Sequence, residues 1–238
     1  ADLKVKMNKY PDTKIYNTLP KLLRYRAEIM PDTVALRDKD LGIWNEITWK
    51  QYNEKVSFLA LSLAKRGFKS GDVIGLIGDN KPSWLFFELA AQAVGGMSLG
   101  IYRDTLDEEV GYLINAAKVN FVYAEDQEQV DKILTIKRPK TNKINIYYED
   151  SRGLKELEDP HITDMLDLIN EGQDIASKNP DKYSKLIDKV SGDQEAILCT
   201  TSGTTSDPKL AMLPGGKFIE HVIRYLKVDP KNIDDEYV

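Results

Sequence analysis

Thr200-Thr201-Ser202-Gly203-Thr204-Thr205-Ser206-Asp207-Pro208-Lys209-Leu210-Ala211-Met212 decides how the chain is read. Apolar runs flank it: Ala196-Ile197-Leu198-Cys199 before, and Leu210-Ala211-Met212-Leu213 after. Short apolar runs bounded by turn residues read as buried strands, so the polar residues form a loop between two strands. Hydroxyls and backbone N–H groups donate hydrogen bonds, Gly203 lets backbone approach a ligand closely, and Lys209 adds positive charge. Together they describe a cradle for phosphate. A Walker loop, G-x-x-x-x-G-K-[ST], does not fit. Counted from Gly203, its second glycine falls on Pro208 and its Ser/Thr on Leu210. The plain alternative is a Ser/Thr-rich surface turn without a ligand.

Thr201-Ser202-Gly203-Thr204-Thr205-x-x-Pro208-Lys209 resembles the phosphate-binding signature of the adenylate-forming (AMP-binding) superfamily. That group includes acyl-CoA synthetases, luciferases and peptide-synthetase adenylation domains. The chain departs from the pattern at Ser206 and Leu210, where the family favours Gly, and at Pro214-Gly215, where it often has a Ser/Thr-His pair. Gly67-Phe68-x-x-Gly71-Asp72-Val73 and Asn80-x-x-x-Trp84 resemble earlier family segments. Gly100-Ile101-Tyr102, Glu109-x-x-Tyr112-Leu113-Ile114 and Ala124 to Val130 resemble the long-chain fatty acyl-CoA synthetase branch. The resemblance covers most of the chain from about Thr18 onward.

The resemblance implies that Thr201, Ser202, Gly203, Thr204 and Thr205 hold the β- and γ-phosphates of ATP. Lys209 neutralises them and is the catalytic candidate. A carboxylate attacks the α-phosphate, and the CoA thiol then attacks the acyl adenylate. Fatty acid, ATP and CoA are the implied small-molecule partners, with Mg²⁺ accompanying ATP; no metal ligand is identifiable. The carboxylate is already ionised at neutral pH, so positioning and charge neutralisation carry the chemistry. This suits a chain with two histidines, His161 in a polar stretch and His221 within a helix, neither in an acid–base constellation. The family's ribose-binding acid, its Mg²⁺ glutamate and its C-terminal domain belong downstream of Val238. The expectation is therefore an incomplete N-terminal domain over 18–238, preceded by an arm over 1–17, with no C-terminal domain and no turnover alone. Two alternatives remain: a non-catalytic nucleotide-binding or interaction module, and an adenylating enzyme for a different carboxylate or acceptor.

Composition excludes other classes. The 238 residues are 42 % hydrophobic and 30 % charged, with a net charge of −5, as in an ordinary globular protein. Basic residues are dispersed, which speaks against nucleic acid. One cysteine, Cys199, permits no internal disulfide and suits a reducing compartment; packing in its apolar strand is its expected role. The longest apolar run, 83–102, holds Glu88, Gln92 and Gly95-Gly96, which argues for a buried helix and strand over a membrane span. A cytoplasmic location follows, with peripheral membrane association open for the whole enzyme.

Periodicity supplies the rest. Thr18 caps a helix to Met30; 33–37 and 43–47 form a hairpin. Thr48-Trp49-Lys50-Gln51 is a capping box whose helix ends at Gly67. Strands are expected at 73–77, 97–102, 119–123 and 144–148. Between them, Asp79-Asn80 caps a helix over 82–94, a Thr105-x-x-Glu108 capping box opens one through Ala117, and another spans 126–137. This alternation predicts an α/β fold with a mostly parallel sheet flanked by helices. Residues 149–192 read as a helical connector in which Ile162, Met165, Leu166 and Ile169 share a helix face, with a second helix at 183–190. The phosphate loop at 200–212 leads to a helix around 218–226 ended by Asp229-Pro230. An open sheet edge would invite self-association.

Overall fold

The computed structural model describes residues 11–139, 143–201 and 208–231. Strand β3 (Val73–Gly78) is buried at every position. A strand buried on both faces needs helices on both faces, and the order of elements supplies them. Helix α1 (Leu19–Ile29) is capped by Thr18, whose side chain accepts from the Lys21 amide. The small antiparallel pair β1 (Val34–Asp40) and β2 (Ile43–Thr48) follows. Helix α2 (Trp49–Lys65) opens on the expected Thr48/Gln51 capping box, with both reciprocal bonds formed. Gly67 takes φ +95° just beyond it, a conformation that glycine adopts without Cβ strain.

After β3 come α3 (Pro82–Ala93), β4 (Met97–Tyr102), α4 (Asp107–Ala116), β5 (Phe121–Ala124), α5 (Gln127–Leu134) and β6 (Asn145–Tyr148). Then come β7 (Ile162–Asp164), α6 (Met165–Lys178), α7 (Lys182–Asp188), β8 (Glu195–Thr201), β9 (Lys209–Pro214) and α8 (Gly215–Val228). Among the described residues, seven strands form one sheet in the order β7-β6-β5-β3-β4-β8-β9. Every neighbouring pair is parallel except β8 and β9. The α/β fold with a mostly parallel sheet, expected from the alternation, is present.

Side chains alternate across the sheet as the two-residue strand period requires. Ile74, Leu76, Phe121, Tyr123 and Tyr147 face a core built with α1, α2, α3, α6 and α7. There Phe87 stacks on Tyr123 and Tyr147, at ring centroid distances of 4.9 and 6.0 Å. Val73, Ile77, Val122, Ala124, Ile146 and Leu198 face the opposite core with Val110, Leu113 and Ile114 of α4 and Val130 and Ile133 of α5. Burying each large side chain contributes about 1.5–3 kcal/mol.

Several local expectations are corrected. Neither Asp79 nor Asn80 caps α3: its N-cap is Lys81, without a side-chain bond. Thr105 forms no capping box; α4 starts after Leu106, and Asp107, Glu108 and Glu109 sit in its first turn, where negative charge meets the positive end of the helix dipole. The 149–192 stretch holds its helices but is more than a connector. Ile162 leaves the expected helix face to join β7, an edge strand parallel to β6. His161, read as part of a polar stretch, is partly buried, with its Nδ1 3.1 Å from the Asn145 side-chain oxygen. Cys199 is exposed and not packed in a core.

Helix α6 is stapled to α2. A Cβ on Gly172 would strike the Phe58 backbone, so this helix pair needs glycine there. Beside it, Glu171 accepts from Lys65 Nζ at 2.7 Å, from Arg66 Nε at 2.8 Å and from the Ser62 hydroxyl. Burial pushes the Glu171 carboxyl up, but the bonds from Arg66, Lys65 and Ser62 outweigh it and hold it at about 2, below its ordinary 4.5. A carboxyl depressed in the folded state stabilises fully above its unfolded value and loses that stabilisation as pH falls through the folded one. The gap corresponds to about 3 kcal/mol; screening at the exposed Lys65 lowers this to about 2 kcal/mol. Glu171→Gln should therefore lower stability by about 2 kcal/mol at pH 7 in urea titrations. The difference from wild type should shrink between pH 4.5 and pH 2, and a constant difference would refute the assignment.

Candidate functional site

In open parallel sheets, ligands favour the crevice at the carboxyl ends of the strands where successive connections leave to opposite faces. Here that point lies between β3 and β5: α3 packs on one face and α5 on the other. The chain fills it with its own side chains. Glu125, just past β5, is 5 % exposed. It accepts from the Asp79 amide at 2.6 Å. Lys81 Nζ lies 2.8 Å from its other oxygen, and Arg103 NH1 lies 3.9 Å from the oxygen that accepts the Asp79 amide. Arg103 also reaches Asp79 at 2.7 Å and Asp126 at 3.2 Å. Partial burial pulls the Lys81 ammonium down, but Glu125, Glu149 and Asp38 outweigh it and hold it above its ordinary value.

Next to this network, the Ser83 hydroxyl donates to Glu149 at 2.6 Å and the Tyr123 hydroxyl to the same oxygen at 2.7 Å. Burial, followed by the Glu149 charge, drives the Tyr123 phenol far up and keeps it neutral. Two carboxylates thus occupy the switch-point crevice. On the same side of the sheet as α3, Glu88 accepts from the Ser98 hydroxyl at 3.1 Å. Burial raises its carboxyl despite that bond.

The hydroxyl-rich stretch lies elsewhere. Strands β8 and β9 form the antiparallel hairpin that the sequence leads one to expect, with Thr201 opposite Lys209 and Cys199 opposite Ala211. Thr201 Oγ1 donates to the Lys209 carbonyl at 3.3 Å. Ser202, Gly203, Thr204 and Thr205, together with Ser206, lie outside the described residues. Strand β8 pairs with β4 only at Ser98–Ile197 and Leu99–Leu198. Beyond Leu198 it is held by β9 alone, which is why Cys199, Thr200 and Thr201 are exposed while Ala196 and Leu198 are buried. Lys209 is exposed at the same tip. From the body of the fold, the Tyr112 hydroxyl of α4 donates to the Pro208 carbonyl at 3.1 Å. The structure therefore brings Thr201 and Lys209 together on adjacent strands. The sequence reading missed both Tyr112 at this tip and the Glu125 network. A Tyr on an exposed helix face carries no signal by itself, whereas Glu125-Asp126 directly after an apolar strand marks the carboxyl edge of a parallel sheet.

Among the described residues, no group of three or more His, Cys, Asp or Glu could hold a metal ion. No helix among them is long and apolar enough to cross a membrane.

The geometry defines an α/β domain with a mostly parallel sheet and an antiparallel hairpin at its edge, and comparison with known proteins gives its family. The family model described as AMP-binding enzyme matches residues 23–238. The chain belongs to the AMP-binding enzyme family. It is 30 % identical over 196 residues to the long-chain-fatty-acid–CoA ligase ACSBG2 of Mus musculus, covering 82 % of this chain and 29 % of that protein. The ACSBG1 ligase of Rattus norvegicus is 29 % identical over 181 residues, covering 75 % of this chain and 24 % of the relative. The chain thus spans less than a third of the length of these curated relatives. Among solved structures, the luciferase-like enzyme of the mealworm Zophobas morio aligns with a TM-score of 0.72 at 16 % identity, covering 92 % of this chain and 47 % of its own. The fatty acyl-adenylate ligase of L. pneumophila aligns at 0.64 with 18 % identity, covering 89 % and 32 %. VinN with L-aspartate aligns at 0.69 with 15 % identity, covering 92 % and 49 %. These likenesses show a shared fold.

Glu125 is buried while Lys81 and Arg103 are each about a third exposed, so its removal leaves no buried charge but takes away charged bonds and the acceptor of the Asp79 amide. Glu125→Ala should accordingly lower the urea midpoint by an amount equivalent to about 2 kcal/mol, with Arg103 still held by Asp79 and Asp126. A midpoint like that of wild type would show that the network contributes no stability.

Proposed function

We propose that this chain supplies the phosphate-binding part of an ATP-dependent acid–thiol ligase, which converts a long-chain fatty acid to its adenylate and then to acyl-CoA. The observation that carries the proposal is the β8–β9 hairpin, whose register sets Thr201 beside Lys209 at the two ends of the hydroxyl-rich stretch. In this reading Thr201, Ser202, Gly203, Thr204 and Thr205 hold the β- and γ-phosphates. Lys209, exposed at the tip, neutralises charge as pyrophosphate leaves, an effect on the transition state. The described residues offer Mg²⁺ no cluster of ligands, so none of them is assigned to it and no step is derived through it.

The substrate class rests on the curated relatives and not on the fold. Solved structures of this fold include one with L-aspartate and one with an acyl adenylate, so architecture alone does not select a carboxylate. The relatives named as long-chain-fatty-acid–CoA ligases match along about four-fifths of the chain. Fatty acid, ATP and CoA are accordingly the proposed ligands of the whole protein. The edge strand β9, exposed along much of its length, is the proposed surface for self-association.

In the whole protein, Lys209→Ala should slow ATP–pyrophosphate exchange by about a hundredfold with little change in thermal stability. Exchange at the wild-type rate removes Lys209 from the chemistry. In a panel of acetate, hexanoate and palmitate, acyl-CoA formation should be fastest with palmitate; a preference for acetate would overturn the substrate assignment.

A further inference from the structure

Past Leu198, strand β8 no longer pairs with β4, although β4 runs on to Tyr102, so the tip carrying Thr201 and Lys209 separates from the sheet and is paired only within the hairpin. A two-stranded ribbon standing alone is marginally stable in water, yet a phosphate cradle needs its donors fixed before the ligand arrives. We propose that Tyr112 is the positioning residue that fixes this tip; the inference rests on the phosphate-binding reading above. Its hydroxyl donates to the Pro208 carbonyl at 3.1 Å, and Pro208 directly precedes Lys209. Among the described residues, this is the only side-chain hydrogen bond to 199–201 or 208–211 that comes from outside the hairpin.

The anchor stands on a rigid mount. On α4, Val110, Leu113 and Ile114 are buried in the core that the sheet shares with α5. The turn before α4 is tied down twice: Lys132 Nζ donates to the Arg103 carbonyl at 2.6 Å, and Arg103 itself is clamped by Asp79 and Asp126. Leu210, the residue after Lys209, packs against the same core. Tyr112 therefore transmits the position of the sheet's carboxyl edge to the hairpin tip. Pro208 has no N–H of its own to give to the ladder, which leaves its carbonyl as the group by which this backbone position can be held.

The test uses the 238-residue chain with Tyr112→Phe, Tyr112→Leu and Lys209→Ala, and has three readouts: the melting temperature, backbone amide exchange over 209–212, and the Kd for inorganic tripolyphosphate. Loss of one hydrogen bond should raise exchange and weaken tripolyphosphate by about fivefold each in Tyr112→Phe. Tyr112→Leu should match it, since the hydroxyl and not the ring is the anchor, and both melting temperatures should stay at that of wild type. Wild-type exchange and affinity in Tyr112→Phe, beside weakened binding in Lys209→Ala, would overturn the anchor and leave the phosphate reading intact. Equal binding by wild type and Lys209→Ala would instead remove the phosphate reading, while faster exchange in Tyr112→Phe would still establish the anchor.

Discussion

The buried carboxylate of Glu125 is the interaction on which the carboxyl edge of the sheet depends. It sits where β3 and β5 end side by side and where the chain leaves to opposite faces. Backbone groups and helix starts at such a point ordinarily await a ligand. Glu125 takes that place, accepting the Asp79 amide and meeting Lys81 and Arg103. A buried charge must be paired to persist, so this one carboxylate constrains the loops after β3, β4 and β5 together. Arg103 extends the constraint to Asp126, the N-cap of α5, and Lys132 on α5 returns it to the turn before α4.

With that crevice filled, the proposed phosphate-binding part lies instead at β8 and β9. The sheet switches there from parallel to antiparallel pairing. A parallel neighbour requires a crossover, but an antiparallel one needs only a turn, and the hydroxyl-rich stretch is that connection. A hairpin that has left its parallel neighbour is weakly supported, and Tyr112 and Leu210 tie it to α4 and the core beneath.

The fold was legible because its signals were redundant. Fully apolar strands alternated with helices, and the Thr48/Gln51 box and Thr18 formed the bonds their positions implied. Errors arose where one pattern served two structures. Ile162 stands three residues before Met165, which is helical spacing, yet the chain uses Ile162 in β7 and starts the helix afterwards. Thr105 and Glu108 have the capping-box spacing, but the Thr105 amide closes a turn onto the Tyr102 carbonyl instead. Cys199 continued an apolar run, and only the strand pairing shows that β8 leaves β4 after Leu198, although β4 itself runs on to Tyr102.

The candidate site was legible in composition and not in support. Density of hydroxyls beside Pro208-Lys209 marked the stretch, and apolar flanks implied two strands. What holds a site in place is long-range, and long-range contacts leave no local pattern. Tyr112 and Pro208 are 96 residues apart, and Ser83 meets Glu149 across 66. Such pairs become visible only when the sheet order is known. That order puts β5 and β4 on opposite sides of β3 and returns β8 to the side of β4. The return passes through α6 and α7 on the face opposite α4, so among the described residues none covers the outer side of α4, and Tyr112 there reaches the hairpin. The topology that exposes the tip thus also leaves open the helix face that secures it.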